Sequence, residues 1–329
     1  MSVGSLELNN RGNFMHRFVE RVGIHNISLL VALIGLLVIF GALRGDVFFS
    51  TRNLLNIGMG VAILGVLAIS QTGVIVSGGL DISVGSIVGL TTVATAMAIQ
   101  STEMAGMGLL AGLVVGGLAG LVNGLLVTYG RINAVIVTLG TMAIFRGIAF
   151  ILSDGQSISI FNDTFRWIGT GRMLGLPIPI WILVLVAIGF YVFMHKSIVG
   201  RNYYAIGGNP VVARLSGLSI PRYRVAIYVL SGVMAGVGGI LLAARTGSGQ
   251  PISGSDGLEL EAITAAFLGG CAMQGGRGTV VGALLGVAII GVLNNGMILT
   301  AVPTFYQMLA KGTLLILAVF LAEYRLNRS

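Results

Sequence analysis

Apolar runs long enough to cross a bilayer recur along almost the whole chain, and that pattern limits the fold more than any other feature. A helix needs about 20 apolar residues to traverse the hydrocarbon core. Such runs lie near 27–43, 54–77, 84–100, 106–128, 132–152, 177–195, 224–244, 259–273, 279–299 and 304–322, the eighth being the shortest. In lipid the backbone must satisfy its own hydrogen bonds, so each run is expected to be helical. Only 9% of the 329 residues are charged, against about 25% in soluble domains, so lipid has to be the main solvent. The expectation is an all-α polytopic membrane protein of about ten transmembrane helices. The 51 glycines fit this reading. Small residues let helix backbones approach closely in a bilayer.

Charge sets the orientation. With the N-terminus cytoplasmic, twelve Lys and Arg residues fall inside and five outside, as the positive-inside rule requires. Ten spans bring the C-terminus to the cytoplasm as well. Seven of the eleven acids, Glu259 and Glu261 among them, then fall outside. This divides the chain into a cytoplasmic segment 1–26, a transmembrane domain 27–322 with a cytoplasmic loop at 196–224, and a tail at 323–329. The first apolar run is longer than a signal-peptide core, so it is expected to remain as a span. The formal charge of +8 sorts by membrane side and forms no basic patch, which argues against nucleic acid as a partner.

The loop from Lys196 to Arg224 is the longest cytoplasmic connection between spans. Asn209 suits an N-cap, Pro210 the first helical turn and Gly217 a left-handed terminus, so a two-turn helix is expected over about 210–216. A helix that short is not stable alone. It is either an incidental turn on a lipid-surface loop or a docking element that presents Val211, Val212 and Leu215 to a cytoplasmic partner, with Arg201 and Arg214 nearby.

A second segment, Ser77-Gly78-Gly79-Leu80-Asp81-Ile82-Ser83-Val84-Gly85-Ser86, joins two spans. One reading is a tight turn with Asp81 as a capping carboxylate and Ser83 and Ser86 at the helix start. The other is a hinge or gate built on Gly79, Asp81, Ser83 and Gly85, in which Asp81 pairs with an arginine. It faintly echoes the other glycine-rich turn, Gly269 to Gly278, and both are expected to be cytoplasmic. Within the spans, Gln71, Asn123, Asn133, Thr138, Thr141, Asn294 and Asn295 are neutral hydrogen-bonding groups. They bond either helix to helix or to an uncharged polyol passing along a substrate path. Arg146, also in a span, either snorkels outward or meets that path.

Several chemistries are disfavoured. No phosphate-cradling G-x-x-x-x-G-K-[ST] run occurs, so this chain is not expected to hydrolyse ATP. No Asp or Glu is expected in mid-span, which disfavours proton coupling. The histidines His16, His25 and His195 lack ligand spacing, no nucleophile–base motif appears, and no metal site or catalytic residue is expected. The single cysteine, Cys271, reads as a small buried residue beside Gly269 and Gly270.

Five segments in order resemble the ribose/xylose/arabinose branch of bacterial ABC-transporter permeases. They are the turn Ser77 to Gly85; Ile132-Asn133-Ala134-Val135-Ile136-Val137-Thr138-Leu139-Gly140-Thr141-Met142 with Arg146-Gly147; Gly200-Arg201 through Gly217; Leu268-Gly269-Gly270 with Gly275-Gly276-Arg277-Gly278-Thr279-Val280; and Asn294-Asn295-Gly296-Met297 with Tyr306-Gln307-Met308. The resemblance runs from about residue 50 to 322. It implies an inner-membrane permease that pairs with a second permease subunit, identical or paralogous. It also implies a cytoplasmic ATP-binding-cassette ATPase, which uses ATP and Mg, and a periplasmic sugar-binding protein. The 196–224 loop then corresponds to the segment that couples permease to ATPase, and the substrate is a monosaccharide such as ribose, xylose or arabinose. Cys271-Ala272-Met273-Gln274 departs from the small or hydroxyl-bearing residue and Leu expected there. The competing expectations are an ion-coupled secondary sugar carrier and a membrane-embedded enzyme or scaffold.

Overall fold

A computed structural model describes residues 24–254 and 257–326. Most of the 1–26 segment and the end of the tail lie outside the described residues. The chain runs as α1 (Ile24–Phe48), α2 (Thr51–Val76), α3 (Val84–Thr102), α4 (Ala105–Thr128) and α5 (Ala134–Leu152), then strand β1 (Ile158–Ser159) and α6 (Asp163–Thr170). Strands β2 (Arg172–Met173) and β3 (Leu176–Pro177) form a small hairpin before α7 (Ile178–Lys196), α8 (Ile198–Gly208), α9 (Pro210–Leu215) and α10 (Ile220–Thr246). Strand β4 (Ser248–Gly249), α11 (Leu258–Leu268), α12 (Val280–Leu299) and α13 (Thr304–Leu326) complete it.

Eight of these helices, α1 to α5, α7, α10 and α12, are long and apolar enough to cross a membrane. The run expected at 304–322 is α13, helical over 23 residues. The run expected at 259–273 is not a helix of membrane length, since α11 has 11 residues. In α1 the backbone at Arg44 leaves helical geometry, so the helix breaks where the apolar run 27–43 ends.

At the centre, α3 is buried almost throughout, packed with α4, α5 and α10. Leu67, Val84, Ile87, Val88, Phe145, Ala235 and Val287 form the largest apolar cluster. Peripheral helices such as α1 turn Val31, Ile34 and Val38 outward, as lipid-facing helices should. The tightest helix pair is α4 against α10. Gly116 of α4 faces Gly232 so closely that a Cβ on either would overlap the other's carbonyl oxygen. With no hydrophobic drive between helices in lipid, close backbone contact supplies the van der Waals attraction that holds them.

The connections sort to two ends. At the far end, β1 pairs antiparallel with β4, and the Asn162 amide donates to the Glu103 carbonyl at 2.8 Å. At the near end lie α8, α9 and the turns 77–83 and 269–279.

Candidate functional site

The near end presents α9 much as its sequence signals it. Asn209 Oδ1 accepts from Val211 N at 3.0 Å and Val212 N at 3.1 Å, Pro210 fills the first turn, and Gly217 takes φ +84°. Leu218 N closes the helix on the Ala213 carbonyl at 3.1 Å. The helix is fixed from beneath by Ala213, buried with Ile206 and Ile220. On top, Val211, Val212 and Leu215 are 67%, 55% and 83% exposed. Arg201 and Arg214 are exposed alongside them. The rest of the 196–224 loop is less loop-like than the sequence suggested. Residues 198–208 form α8, capped by Ser197, whose hydroxyl accepts from Gly200 N at 2.9 Å. The signal for α8 was that serine followed by Tyr203 and Ile206, which point the same way and are buried.

Beneath α8, three backbones meet without side chains between them. Gly207 lies against the Val76 carbonyl and the Gly276 amide, and Gly275 lies against Gly78. Gly276 N donates to the Val76 carbonyl at 2.8 Å. Tyr204 braces the contact by donating to the Gly278 carbonyl at 2.8 Å, and burial pushes its hydroxyl up to about 12, so it stays a donor. The two glycine-rich turns that echo one another in sequence are therefore joined through Gly207. Cys271 in this junction is wholly buried and its thiol is pushed up to about 12 by burial, a packed and inert group.

The turn then climbs back into the bundle, carrying Asp81 to zero exposure. Its Oδ1 accepts from Ser83 N at 3.1 Å, from Ser83 Oγ at 2.6 Å and, at 3.5 Å, from Asn123 Nδ2. Its Oδ2 accepts from Ser231 Oγ at 3.0 Å. Gln71 Nε2 donates to the Asp81 carbonyl at 2.7 Å, and Tyr228 donates to that of Leu80 at 3.1 Å. The carboxylate is thus tied by neutral donors from α4, α10 and its own turn. No arginine pairs with it among the described residues, which corrects that part of the hinge reading. Ser83 holds the N-cap position of α3 without capping it, since its hydroxyl is turned to Asp81, and Ser86 Oγ donates to the Ser83 carbonyl. Gly79 packs on the Tyr228 hydroxyl. Ser231 and Tyr228 escaped the sequence reading, although their spacing of three puts them on one face of α10.

Gly85 connects this knot to the broken eighth run. A Cβ there would overlap the Gly254 carbonyl and the Glu259 carboxylate. Residues 249–254 descend along α3 as non-helical chain, from Ala96 and Thr92 past Gly89 to Gly85. That is a drop of about 16 Å at 1.5 Å per helical residue. Thr92 Oγ1 and the backbone of Gln250 exchange hydrogen bonds at 3.0 and 3.1 Å. Irregular backbone at such depth is tolerated only where protein covers it. α11 then completes the passage, its last residues packing on Gly282 of α12. So Glu259 and Glu261, expected outside, sit within the bundle. Glu261 Oε1 pairs with Lys311 Nζ at 2.6 Å, and Asn294 Nδ2 donates to Oε2 at 3.1 Å. The expectation of no acid in mid-span fails because the chain is carried inward before its helix begins.

The other proposed path residues do not converge. Gln71 and Asn123 belong to the Asp81 knot. Asn133 is exposed and caps α5, accepting from Val135 N at 2.9 Å. It borders a cavity of about 590 Å³ at the near end, along with Gly79, Arg131, Arg224, Tyr228 and Phe267. Thr138 and Thr141 are buried and donate back to their own helix. Arg146 is half-buried, its Nε without a hydrogen-bond partner. Asn295 exchanges two hydrogen bonds with Asn53 at 2.8 and 3.0 Å, fastening α12 to α2. No group of three or more His, Cys, Asp or Glu side chains is placed to hold a metal among the described residues.

A bundle of membrane-length helices with an end-mounted short helix is the architecture of an all-α polytopic membrane protein. The family described as branched-chain amino acid transport system / permease component matches residues 53–319, and the chain belongs to it. It is a multi-pass protein of the inner membrane. Its relatives include the ribose import permease protein RbsC of Escherichia coli (strain K12), 37% identical over 307 residues, covering 92% of this chain and 95% of the relative. RbsC of Bacillus subtilis (strain 168) is 41% identical over 288 residues, covering 87% and 89%. The L-arabinose permease AraH of Azospirillum brasilense is 39% identical over 294 residues, covering 89% and 86%. No solved structure matches.

Proposed function

We propose that this chain is the membrane-spanning subunit of an ATP-driven importer for a monosaccharide, a pentose such as ribose, xylose or arabinose or a related sugar. A separate cytoplasmic ATPase docks on α9 and drives alternating access, and a periplasmic sugar-binding protein delivers solute to the far end. A second permease subunit, identical or paralogous, completes the pathway. The near end is cytoplasmic on this reading, in keeping with Lys196, Arg201, Arg214, Arg222 and Arg224 around α8 and α9. ATP and Mg belong to the partner, and this chain supplies the path and the coupling element.

The observation that carries the reading is α9 itself. A six-residue helix is capped at both ends and anchored by Ala213, yet turns three large apolar side chains away from its own protein. Exposed apolar anchors on a rigid helix suit insertion into a groove of another protein. Behind α9, contacts run through Gly207 to the 77–83 turn, the Asp81 knot, Gly85 and α11. That contiguous route offers a way to pass motion from the docking helix to the middle of the membrane. The sugar class is favoured by the ribose and arabinose relatives, despite the amino-acid wording of the family description.

Mild-detergent capture of the tagged full-length chain from native membranes is the test. Recovery of an ABC ATPase is the expected outcome, and deletion of residues 210–216 should abolish both that recovery and sugar uptake while the spans stay inserted. An ATPase-free preparation that still carries sugar into liposomes would replace this reading with an ion-coupled carrier.

A further inference from the structure

Between α11, α12 and α13 lies a cavity of about 560 Å³, within the roughly 300–1,000 Å³ of small-molecule sites. Its level is set by the pairing of α11 with α12, where Ala265 meets Gly286 and Gly269 meets Gly282. Glu261 and Asn294 therefore stand in the half of the bundle away from α9. The polar part of its lining is the Glu261–Lys311 pair with Glu259, Asn294 and Gln307 and the hydroxyls of two threonines, and apolar side chains such as Ile290 and Leu314 make up most of the remainder.

The geometry points to this cavity as the place where the chain itself holds the sugar, on the side from which it arrives; the inference rests on the importer reading above. Lys311 and Glu261 neutralise one another, and Glu259 adds a second carboxylate to the lining, a group that accepts from hydroxyls. What remains is hydrogen-bonding capacity. Lys311 has donors beyond the one on Glu261. The buried Asn294 Oδ1 has no hydrogen-bond partner among the described residues, although its amide nitrogen is fixed on Glu261. Gln307 commits its nitrogen to the Val302 carbonyl at 2.8 Å and leaves its oxygen as an acceptor. Fixed donors and acceptors set beside apolar side chains match a monosaccharide, whose ring has hydroxyls at its rim and C–H faces. α11 lines this cavity with its first turns, while Phe267 in its last turn lines the near-end cavity. One short helix thus borders both spaces, placing the sugar beside the element that must move for access to alternate.

The experiment uses the single native thiol. In a Cys271→Ser background, Thr304→Cys, in the cavity lining but outside the proposed sugar contacts, is labelled with a maleimide in native membranes holding the complete transporter, with and without D-ribose, D-xylose or L-arabinose. Leu174→Cys on the far-end hairpin, outside the cavity, serves as control. At about ten times its dissociation constant the bound sugar slows labelling of Thr304→Cys by roughly tenfold by mass action, with the control unchanged. Met308→Cys, which also lines the cavity, gives the same readout should Thr304→Cys fail to insert. Labelling unaffected by all three sugars, while the parent still takes one of them up, overturns the cavity site and leaves the importer reading standing. Labelling that is blocked without sugar and released by delipidation assigns the cavity to an acyl chain, and overturns it too. A parent that takes up none of the three defeats the pentose reading, and the site assignment with it.

Discussion

On α9 three apolar side chains face away from the protein, whereas a short way beneath it Asp81 has no exposure at all. Each reverses the usual placement of its residue type, and the two are stabilised by opposite means. Asp81 finds its partners inside the chain, with Ser83, Ser231 and Asn123 donating to its carboxylate. An isolated buried carboxylate costs several kcal/mol, and charge-assisted hydrogen bonds of about 1.5–3 kcal/mol each offset it. α9 has no comparable satisfaction for Val211, Val212 and Leu215. The knot is complete within one subunit, whereas α9, on the proposed reading, is half of an interface.

The sharpest way to break that comparison is at the junction between the two. Gly207→Val drives a side chain into the Val76 carbonyl and the Gly276 amide, where backbone cannot give way. The expected loss exceeds about 4 kcal/mol, seen as failure to recover monodisperse protein in detergent. An unchanged melting temperature would mean the three backbones are not in contact. Next, Asp81→Ala leaves several buried donors without their acceptor and should cost about 2–4 kcal/mol in mixed-micelle unfolding. Asp81→Asn keeps an acceptor for Ser83 and should recover more than half of that; equal losses would show that charge, not hydrogen bonding, holds the knot.

The docking side should respond more weakly in stability. Asn209→Ala removes the cap of α9 and should lower stability by about 1 kcal/mol, with partial loss of ATPase recovery. Smallest in stability is the combined Val211→Ser, Val212→Ser and Leu215→Ser, each within about 0.5 kcal/mol as expected for surface positions. Capture of the ATPase should nevertheless vanish. A variant that keeps its ATPase and its uptake would make α9 an incidental surface turn.

What the sequence made legible follows from local rules. Apolar runs of membrane length located the eight helices long and apolar enough to cross and the apolar helix α13, because a helix in lipid is decided by the solvation of its own residues. Asn209, Pro210 and Gly217 marked α9, because caps act within a few residues of the backbone groups they satisfy. The eighth run was readable as apolar but not as broken, since nothing local shows that α3 offers Gly85 and Gly89 as a track for residues 249–254. The resemblance of five ordered segments also reached the family, through motifs spread over the whole chain.

The candidate site was legible only in pieces. Asp81 and Asn123 stood out as polar residues in apolar surroundings, but their meeting with Ser231 spans 150 positions of sequence. Glu261 was assigned to the outside, whereas Lys311 lies within the run 304–322, and their pairing needed α11 to start deep beside α13. Gly207, Gly275 and Gly276 looked like turn glycines, yet they are where three backbones touch. The sequence by itself determined the solvent, the class of helix and the capped short helix α9, since those depend on each segment's own composition. Which polar groups face one another, and how far into the membrane each helix begins, were settled only when the helices packed, because those are long-range contacts that no window of sequence contains.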